Sequence, residues 1–387
     1  MSGGRYHLVS LPVSIDRSHD PEAAFQKIRS VIPADSGTTI SPFPIPEFKI
    51  GTLDTLVLQA DELAKLDANV EAAVNKVVDV LKNIVPGQEG GYKLVNEKPV
   101  DRYLESFQWN KVKYRADKSI GENMAALQRE VTALDVDIKT AYSNYQNIKA
   151  SLVNVQRKTS GNLLTRSLAP LLRKDDFIQD SEYLETLLVV VPKTLQKEWI
   201  KTYEVLAPFV VPRSSYKLAE DEEYALYNVT LFKRSTPEFI SKARAHKFTP
   251  RDFKWSEDAA EREEQEARDI ERQERQMFNE VVRLARTAYS DQFAAWIHVK
   301  ALRVFVESVL RYGLPLDFVN AVIRSKSEKY AKKVKSNLEE EFGYLGGNAF
   351  GRDKKGKIKD DVADVTAGVH GLQVDYSPFC YFEFEVL

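Results

Sequence analysis

The chain has 387 residues, of which 43% are hydrophobic and 29% charged, and its formal net charge is −2. That length suggests two or three domains, and that hydrophobic share builds real cores, so a disordered chain is excluded. The nearly cancelled charge gives no general basic face, so no nucleic acid partner is expected. The single cysteine, Cys380, rules out an intramolecular disulfide and a cysteine-based zinc site, and a reducing compartment fits. The opening MSGGRYHLVSLPVS lacks the apolar core of a secretory signal. No run of about 18 uncharged apolar residues is present to span a bilayer.

Residues 6–13, YHLVSLPV, read as a short strand, followed by a Pro/Ser/Gly-rich link that closes with SPFPIPEFKI (41–50). Asp54 or Thr55 starts a helix with Leu66, Val70, Val74, Val77, Leu81 and Ile84 at helical spacing, and Pro86 and Gly87 end it. YLESFQWN (103–110) is expected to be a strand. The most regular feature follows. Ile120, Met124, Leu127, Val131, Leu134, Ile138, Ala141, Tyr145, Ile148, Leu152 and Val155 alternate steps of four and three. This is a coiled-coil seam on a rod of roughly 50 Å, and it needs a partner helix.

Between this rod and a second one lies a compact block. TLLVVV (186–191) suits a buried strand, KTLQKEWIKTYEVL (193–206) a helix, and SYKLAEDEEYALYNVTLFK (215–233) two strands joined by an acidic turn. Ser235, Pro237 and Glu238 mark a helix start with a capping box. From Ser256 to Tyr312 there is neither Pro nor Gly, which reads as one helix of about 80 Å. Its first part is nearly all charge, with Asp258/Arg262, Glu264/Arg268 and Glu271/Arg275 in the favourable acid-first order. A thin seam (Ala260, Ala267, Ile270, Met277, Val281, Leu284, Ala288) thickens toward the end, so the helix starts as an exposed rod and ends in a core.

The C-terminal YSPFCYFEFEVL alternates, with Phe382, Phe384 and Val386 on one face and Glu383 and Glu385 on the other, as a half-buried strand at or near a sheet edge does. Neither terminal strand can stand alone, which puts the two chain ends in one sheet. The fold class is α+β, arranged as an elongated dumbbell. Its foot is residues 1–118 with 314–387, its head is 158–255, and its neck is two long antiparallel helices, 119–157 and 256–313.

No catalytic constellation is found. His7, His19, His246, His298 and His370 have no second His or Cys at metal-ligand spacing. His298, between Ile297 and Val299, reads as a packing or surface histidine rather than a base, and Cys380 as a buried apolar thiol rather than a nucleophile. GGNAFGRDKKGK (346–357) has Gly346 and Gly351 at P-loop spacing, but Arg352 and Asp353 stand where Lys and Ser/Thr are required. It reads as a loop with a basic tip (Arg352, Lys354, Lys355, Lys357 and Lys359) that is either solvated charge or a contact for an acidic partner. No metal, cofactor or catalytic residue is expected. In ALRVFVESVLRYGLP (301–315) an Arg303–Glu307–Arg311 ladder interrupts a wide apolar stripe. The stripe belongs to a core; the ladder faces water, a neighbour, or a carboxylate on a partner.

Several runs together resemble the C-subunit family of V-type proton ATPases: IPEFKIGTLDTL (45–56), ESFQWNKVKYRADKSI (105–120), HVK with ALRVFVESVLRYGLP, and FGYLGGNAFGRDKKGKIK (342–359), with TLLVVVPK and KFTPRDF in between. The resemblance implies the foot, head and neck shape and a non-catalytic stator component of the soluble, ATP-hydrolysing sector. It implies partners as well: peripheral stalks of the E and G subunits on head and foot, and the cytosolic N-terminal part of the V-ATPase a subunit on the foot. It further implies a cytoplasmic place on vacuolar or other endomembranes, with membrane association only through the complex, and release when the two sectors separate. The alternative is a cytoskeletal scaffold binding actin, or a membrane-surface scaffold. The acid-rich run at 257–274 argues against the continuous basic face such roles need.

Overall fold

The structure is a computed structural model that describes residues 4–33, 37–256, 258–350 and 377–386, with residues 259 and 347–350 as backbone alone. In chain order the elements are β1 (Arg5–Pro12), α1 (Pro21–Val31), β2 (Thr38–Pro42), α2 (Leu53–Ile84), a small hairpin of β3 (Leu94–Val95) and β4 (Lys98–Pro99), α3 (Val100–Glu105), α4 (Ile120–Ser160), β5 (Leu184–Pro192), α5 (Gln196–Thr202), β6 (Lys217–Glu220), β7 (Tyr224–Phe232), α6 (Thr236–Ala245), β8 (Thr249–Arg251), α7 (Ala259–Tyr312), β9 (Phe318–Ser325), α8 (Glu328–Phe342) and β10 (Cys380–Glu385). The class is α+β. The chain divides into two compact units, Met1–Thr140 with Val281–Leu387, and Ala141–Glu280.

In the first unit the sheet order is β10-β1-β9-β2, antiparallel throughout. Along the chain this is β1–α1–β2 and then β9–α8–β10, two interleaved strand–helix–strand arms, the split βαβ topology of ferredoxin-like folds. A hairpin could join the antiparallel neighbours β2 and β9. Instead, residues 43–317 are inserted there. Both chain ends enter this sheet, Ser10 opposite Cys380 and Arg5 opposite Glu385. On one face Ala24 and Ile28 of α1 and Val334, Leu338 and Phe342 of α8 pack on Val9, Leu11 and Ile323. The residues of β1 that point the other way, Tyr6, Leu8 and Ser10, are buried as well.

The second unit repeats the topology in a continuous stretch. Its order is β6-β7-β5-β8, again antiparallel, from β5–α5–β6 and β7–α6–β8. Here a tight acidic turn does join the second and third strands in chain order, β6 and β7, with the Asp221 carboxylate accepting the Glu223 and Tyr224 amides. Trp199, Tyr203 and Phe239 cover one face, on Val189, Val191, Tyr227 and Val229. Leu163, Leu168 and Leu172 cover the other, on Leu188, Val190 and Leu226.

Local signals explain most boundaries. Thr52 caps α2 by accepting the Thr55 amide. Ser119 and Glu122 form a reciprocal capping box at the start of α4. Gly313, at φ +73°, ends α7 in the left-handed conformation. The heptad seam of α4 is real: Ile120, Met124, Leu127, Val131, Ile138 and Tyr145 are buried. Among the second-unit residues, Tyr145 meets the ring of Phe278 at 6.1 Å.

Four expectations are corrected. The link after β1 holds α1 and β2; Asp20, capping the Ala23 amide just before Pro21, is a helix-start signal that the surrounding turn residues mask. Residues 103–110 are the end of α3 and a coil. The alternation is there, since Phe107 and Trp109 are buried, but Phe107 stacks on Phe43, Trp109 meets Phe48 edge-on, and no ladder forms. The 193–206 helix is a short α5 between two 3-10 turns. The capping box at Ser235 is not made, although Pro237 does sit in the first turn of α6.

Candidate functional site

The polar line through the apolar end of α7 is built against the C-terminal strand. Lys300 lies 3.1 Å from the Asp67 carboxylate of α2 and over the rings of Trp296 and Phe384, at 4.7 and 4.8 Å. Trp296 donates its indole N–H to the same carboxylate at 2.8 Å. Arg303 pairs with Asp67 and stacks over Phe382 at 4.5 Å. One turn on, Glu307 pairs with Arg311, whose guanidinium donates to the Ser377 carbonyl at 2.7 Å. Ser308 and Ser10 share a hydroxyl hydrogen bond of 2.7 Å. The Tyr312 hydroxyl accepts the Cys380 amide and donates to the Ser10 carbonyl. The residues at 300, 303, 311 and 312 therefore grip 384, 382, 377 and 380 in turn.

Asp67 and Lys300 are only 5% and 4% exposed. Burial holds the Lys300 ammonium below the usual lysine range, and the Asp67 carboxylate offsets only part of that. Removing one member of such a buried group costs about 3–5 kcal/mol, because the other charge is left uncompensated. Of the residues read from sequence as partner contacts, the structure brings Arg303, Glu307 and Arg311 together on this clamp and engages each within the chain. Arg352, Lys354, Lys355 and Lys357, with Lys359 and most of the P-loop-like run, lie outside the described residues.

The groups that could have served catalysis are engaged. His298 donates Nδ1–H to the Ala294 carbonyl and accepts the Asn110 amide at Nε2, inside a cage of Phe107, Trp109 and Tyr114. Burial lowers its pKa to about 4. His7, fully buried in β1, bonds Ser325 of β9 at Nε2 and the Tyr381 hydroxyl of β10 at Nδ1; burial lowers it to about 4 as well. Cys380 is buried with its thiol toward the Val304 carbonyl, and burial pushes it up to about 12. Among the described residues no group of three or more His, Cys, Asp or Glu side chains could hold a metal. A cavity of about 410 Å³ in the second unit, lined by Val155, Lys158, Arg166, Pro170 and Glu263, and one of about 570 Å³ in the first, beside Pro44 and Trp109, contain neither His nor Cys.

Comparison with known proteins decides the assignment. The pattern of the V-ATPase C-subunit family matches residues 6–380. The chain belongs to this family. It is 42% identical over 345 residues to the V-type proton ATPase C subunit of Saccharomyces cerevisiae, covering 89% of this chain and 88% of that protein. It is 42% identical over 348 residues to the V-type proton ATPase C 1 subunit of Macaca fascicularis, covering 89% of each. It is 40% identical over 368 residues to the C 1 subunit of Bos taurus, covering 94% of each. The V-ATPase match takes in the whole second unit and the first unit from Tyr6 to Cys380; Phe382 and Phe384 of the clamp lie just beyond it. In this member of the family no helix among the described residues is long and apolar enough to cross a membrane.

Sequence reading missed Asp67, and with it Lys300, Trp296, Ser308 and Tyr312. Asp67 sits on the apolar face of α2, between Leu66 and Val70, where a lone carboxylate among leucines and valines is itself a signal of a buried cation.

Proposed function

We propose that the chain is a non-catalytic stator linker of a V-type proton ATPase. In this reading it is an elongated dumbbell, peripheral on vacuolar or other endomembranes and held there through the complex. Its head and foot bind peripheral stalks of the E and G subunits, and its foot also binds the cytosolic N-terminal part of the a subunit. It resists the torque of rotary catalysis and takes part in reversible assembly. The observation that carries the reading is the family match over residues 6–380 at about 40% identity to curated relatives. Two features support it. Helices α4 and α7 each contribute residues to both compact units. The buried histidines and the thiol are committed to structural partners rather than poised over a cavity.

Contact with partners through Arg352, Lys354, Lys355 and Lys357 belongs to the foot in this reading. Arg303, Glu307 and Arg311 would share in it only through the edges they leave exposed, their side chains being 24%, 29% and 24% accessible. Calorimetric titration of the full-length chain with the E–G heterodimer of its own organism tests the proposal. Saturable binding with no ATP turnover is expected. Turnover that purifies with the chain would make it an enzyme, and cosedimentation with filamentous actin without E–G binding would move the reading to a cytoskeletal scaffold.

A further inference from the structure

We propose that, within the second unit, the end of α4 and the start of α7 are latched together by opposite net charge across a half-open seam, and that salt releases the latch. The device sets the stiffness of this helix pair and does not depend on the linker role. The charge is segregated in the sequence. Residues 141–174 hold six Lys and Arg and no Asp or Glu. Residues 261–280 of α7 hold eight Asp and Glu against four Arg. Two of those Arg are engaged on α7 itself, Arg268 with Glu264 and Arg272 with Asp269. The acidic excess is therefore left for a neighbour, and the neighbour is α4. Lys158 and Thr159 line one cavity together with Glu261, Glu264 and Glu266, and Tyr145 faces Glu274.

Apolar contact is thin here. Ile148, Leu152 and Val155 of the α4 seam are only half-buried, as are Ala260, Ala267 and Ile270 of the α7 seam, whereas Val281, Ala285 and Ala288, further along α7, are fully buried. The pair also packs with gaps. One is the cavity of about 410 Å³ between Val155 and Ala260 with Ala267; another, of about 350 Å³, lies between Asn147 with Ile148 and Gln273 with Met277. Among the described residues no ion pair within 4 Å joins Lys149, Arg157 or Lys158 to α7. The attraction therefore acts between solvated charges that do not touch. Salt screens such charges, since the screening length falls from about 8 Å at physiological ionic strength to about 3 Å at 1 M. The α4 half carries no acid of its own, so it has no internal ion pair for salt to weaken. The favourable placement of Arg157 and Lys158 at its C-terminal end acts only over the last turn. Loosening of α4 ahead of that turn, brought on by salt, can come only from across the seam.

The test is amide hydrogen exchange of the full-length chain in about 50 mM and about 1 M NaCl, read over residues 146–155 of α4. The amides of β5 and β7, in the core of the same unit, serve as the internal reference. Exchange over 146–155 should quicken about fivefold or more against that reference as salt rises. Lys158→Glu, which sets a carboxylate among those of α7, should quicken it at low salt already and flatten the salt response. Lys158→Glu combined with Glu266→Lys, which reverses the pair, should return exchange to within about twofold of wild type. Exchange over 146–155 that stays level or slows as salt rises would overturn the latch and leave the linker reading standing. So would a reversed pair that fails to restore protection, because Lys158→Glu would then be acting on its own helix end alone.

Discussion

The two units share one topology and stabilise it by different means. In the second, all four strands lie between Leu184 and Arg251, and the core is leucine, valine and aromatic rings with no buried charge among the described residues. In the first, β1 pairs with a strand from the far end of the chain, and the interior holds Asp67, Lys300, His7 and His298. Pairing strands that lie far apart in sequence closes a long loop, and a one-residue slip would turn every side chain to the wrong face. Apolar burial rejects that slip but not a slip of two residues, which keeps every face. Cations seated over Phe382 and Phe384, and a tyrosine hydroxyl that accepts the Cys380 amide, reject both. The second unit, with short connections, needs no such devices.

The difference is easiest to break at Asp67. Asp67→Ala should destabilise the first unit by about 3–5 kcal/mol, leaving Lys300 and Arg303 without their counter-charge, and hydrogen exchange should show β10 opening first. Trp199→Ala should cost a similar amount in the second unit, through a cavity. A compensating change separates the two causes. Replacing Asp67, Lys300 and Arg303 together by apolar residues should recover much of the loss in the first unit, which a pure packing defect would not do.

Acid should separate the units next. The folded pKa values of His7 and His298 are lowered to about 4, below the unfolded value near 6.5. The fold therefore favours the neutral rings. Their contribution is fully present above about pH 6.5 and is lost as pH falls toward 4, on the order of 3 kcal/mol each at most. Urea titrations at pH 7 and pH 5 should show this loss in the first unit, and His7→Gln should flatten it.

Much of this contrast is legible in the sequence. Alternation at 380–386 announces the last strand, and the unbroken four–three steps from Ile120 announce α4, because both signals come from periodic burial. The β9–α8 arm is not legible in the same way. Its strand FVNAVIRS lacks clean alternation, and its helix is so rich in Lys and Glu that only Ala331, Val334, Leu338 and Phe342 mark the buried side. The shared topology is also hidden, since 43–317 separates two strands that are neighbours in the sheet. The Arg303–Glu307–Arg311 ladder is visible as a pattern. Its in-chain partners are not, because Asp67 and Ser377 are distant in sequence.

Smaller effects sharpen the picture. Phe382→Leu should cost about 1 kcal/mol through the lost Arg303 stacking. Cys380 supplies its own probe: buried and with its thiol pushed up to about 12, it should resist thiol reagents in the native chain and label faster in Phe382→Leu and faster still in Asp67→Ala. At the exposed start of α7, Glu264→Gln, which breaks the pair with Arg268, should change stability by no more than about 0.5 kcal/mol.

The central claim is that the chain couples the two sectors of a rotary proton pump without doing chemistry itself. The most direct measurement adds the purified chain back to the V-ATPase complex prepared without its own copy and follows proton pumping and ATP hydrolysis together. The account predicts that pumping is restored and that it depends on added chain up to a stoichiometric end point. Full coupled pumping in the complex without the chain, or no restoration by a folded chain that binds the complex, would contradict it.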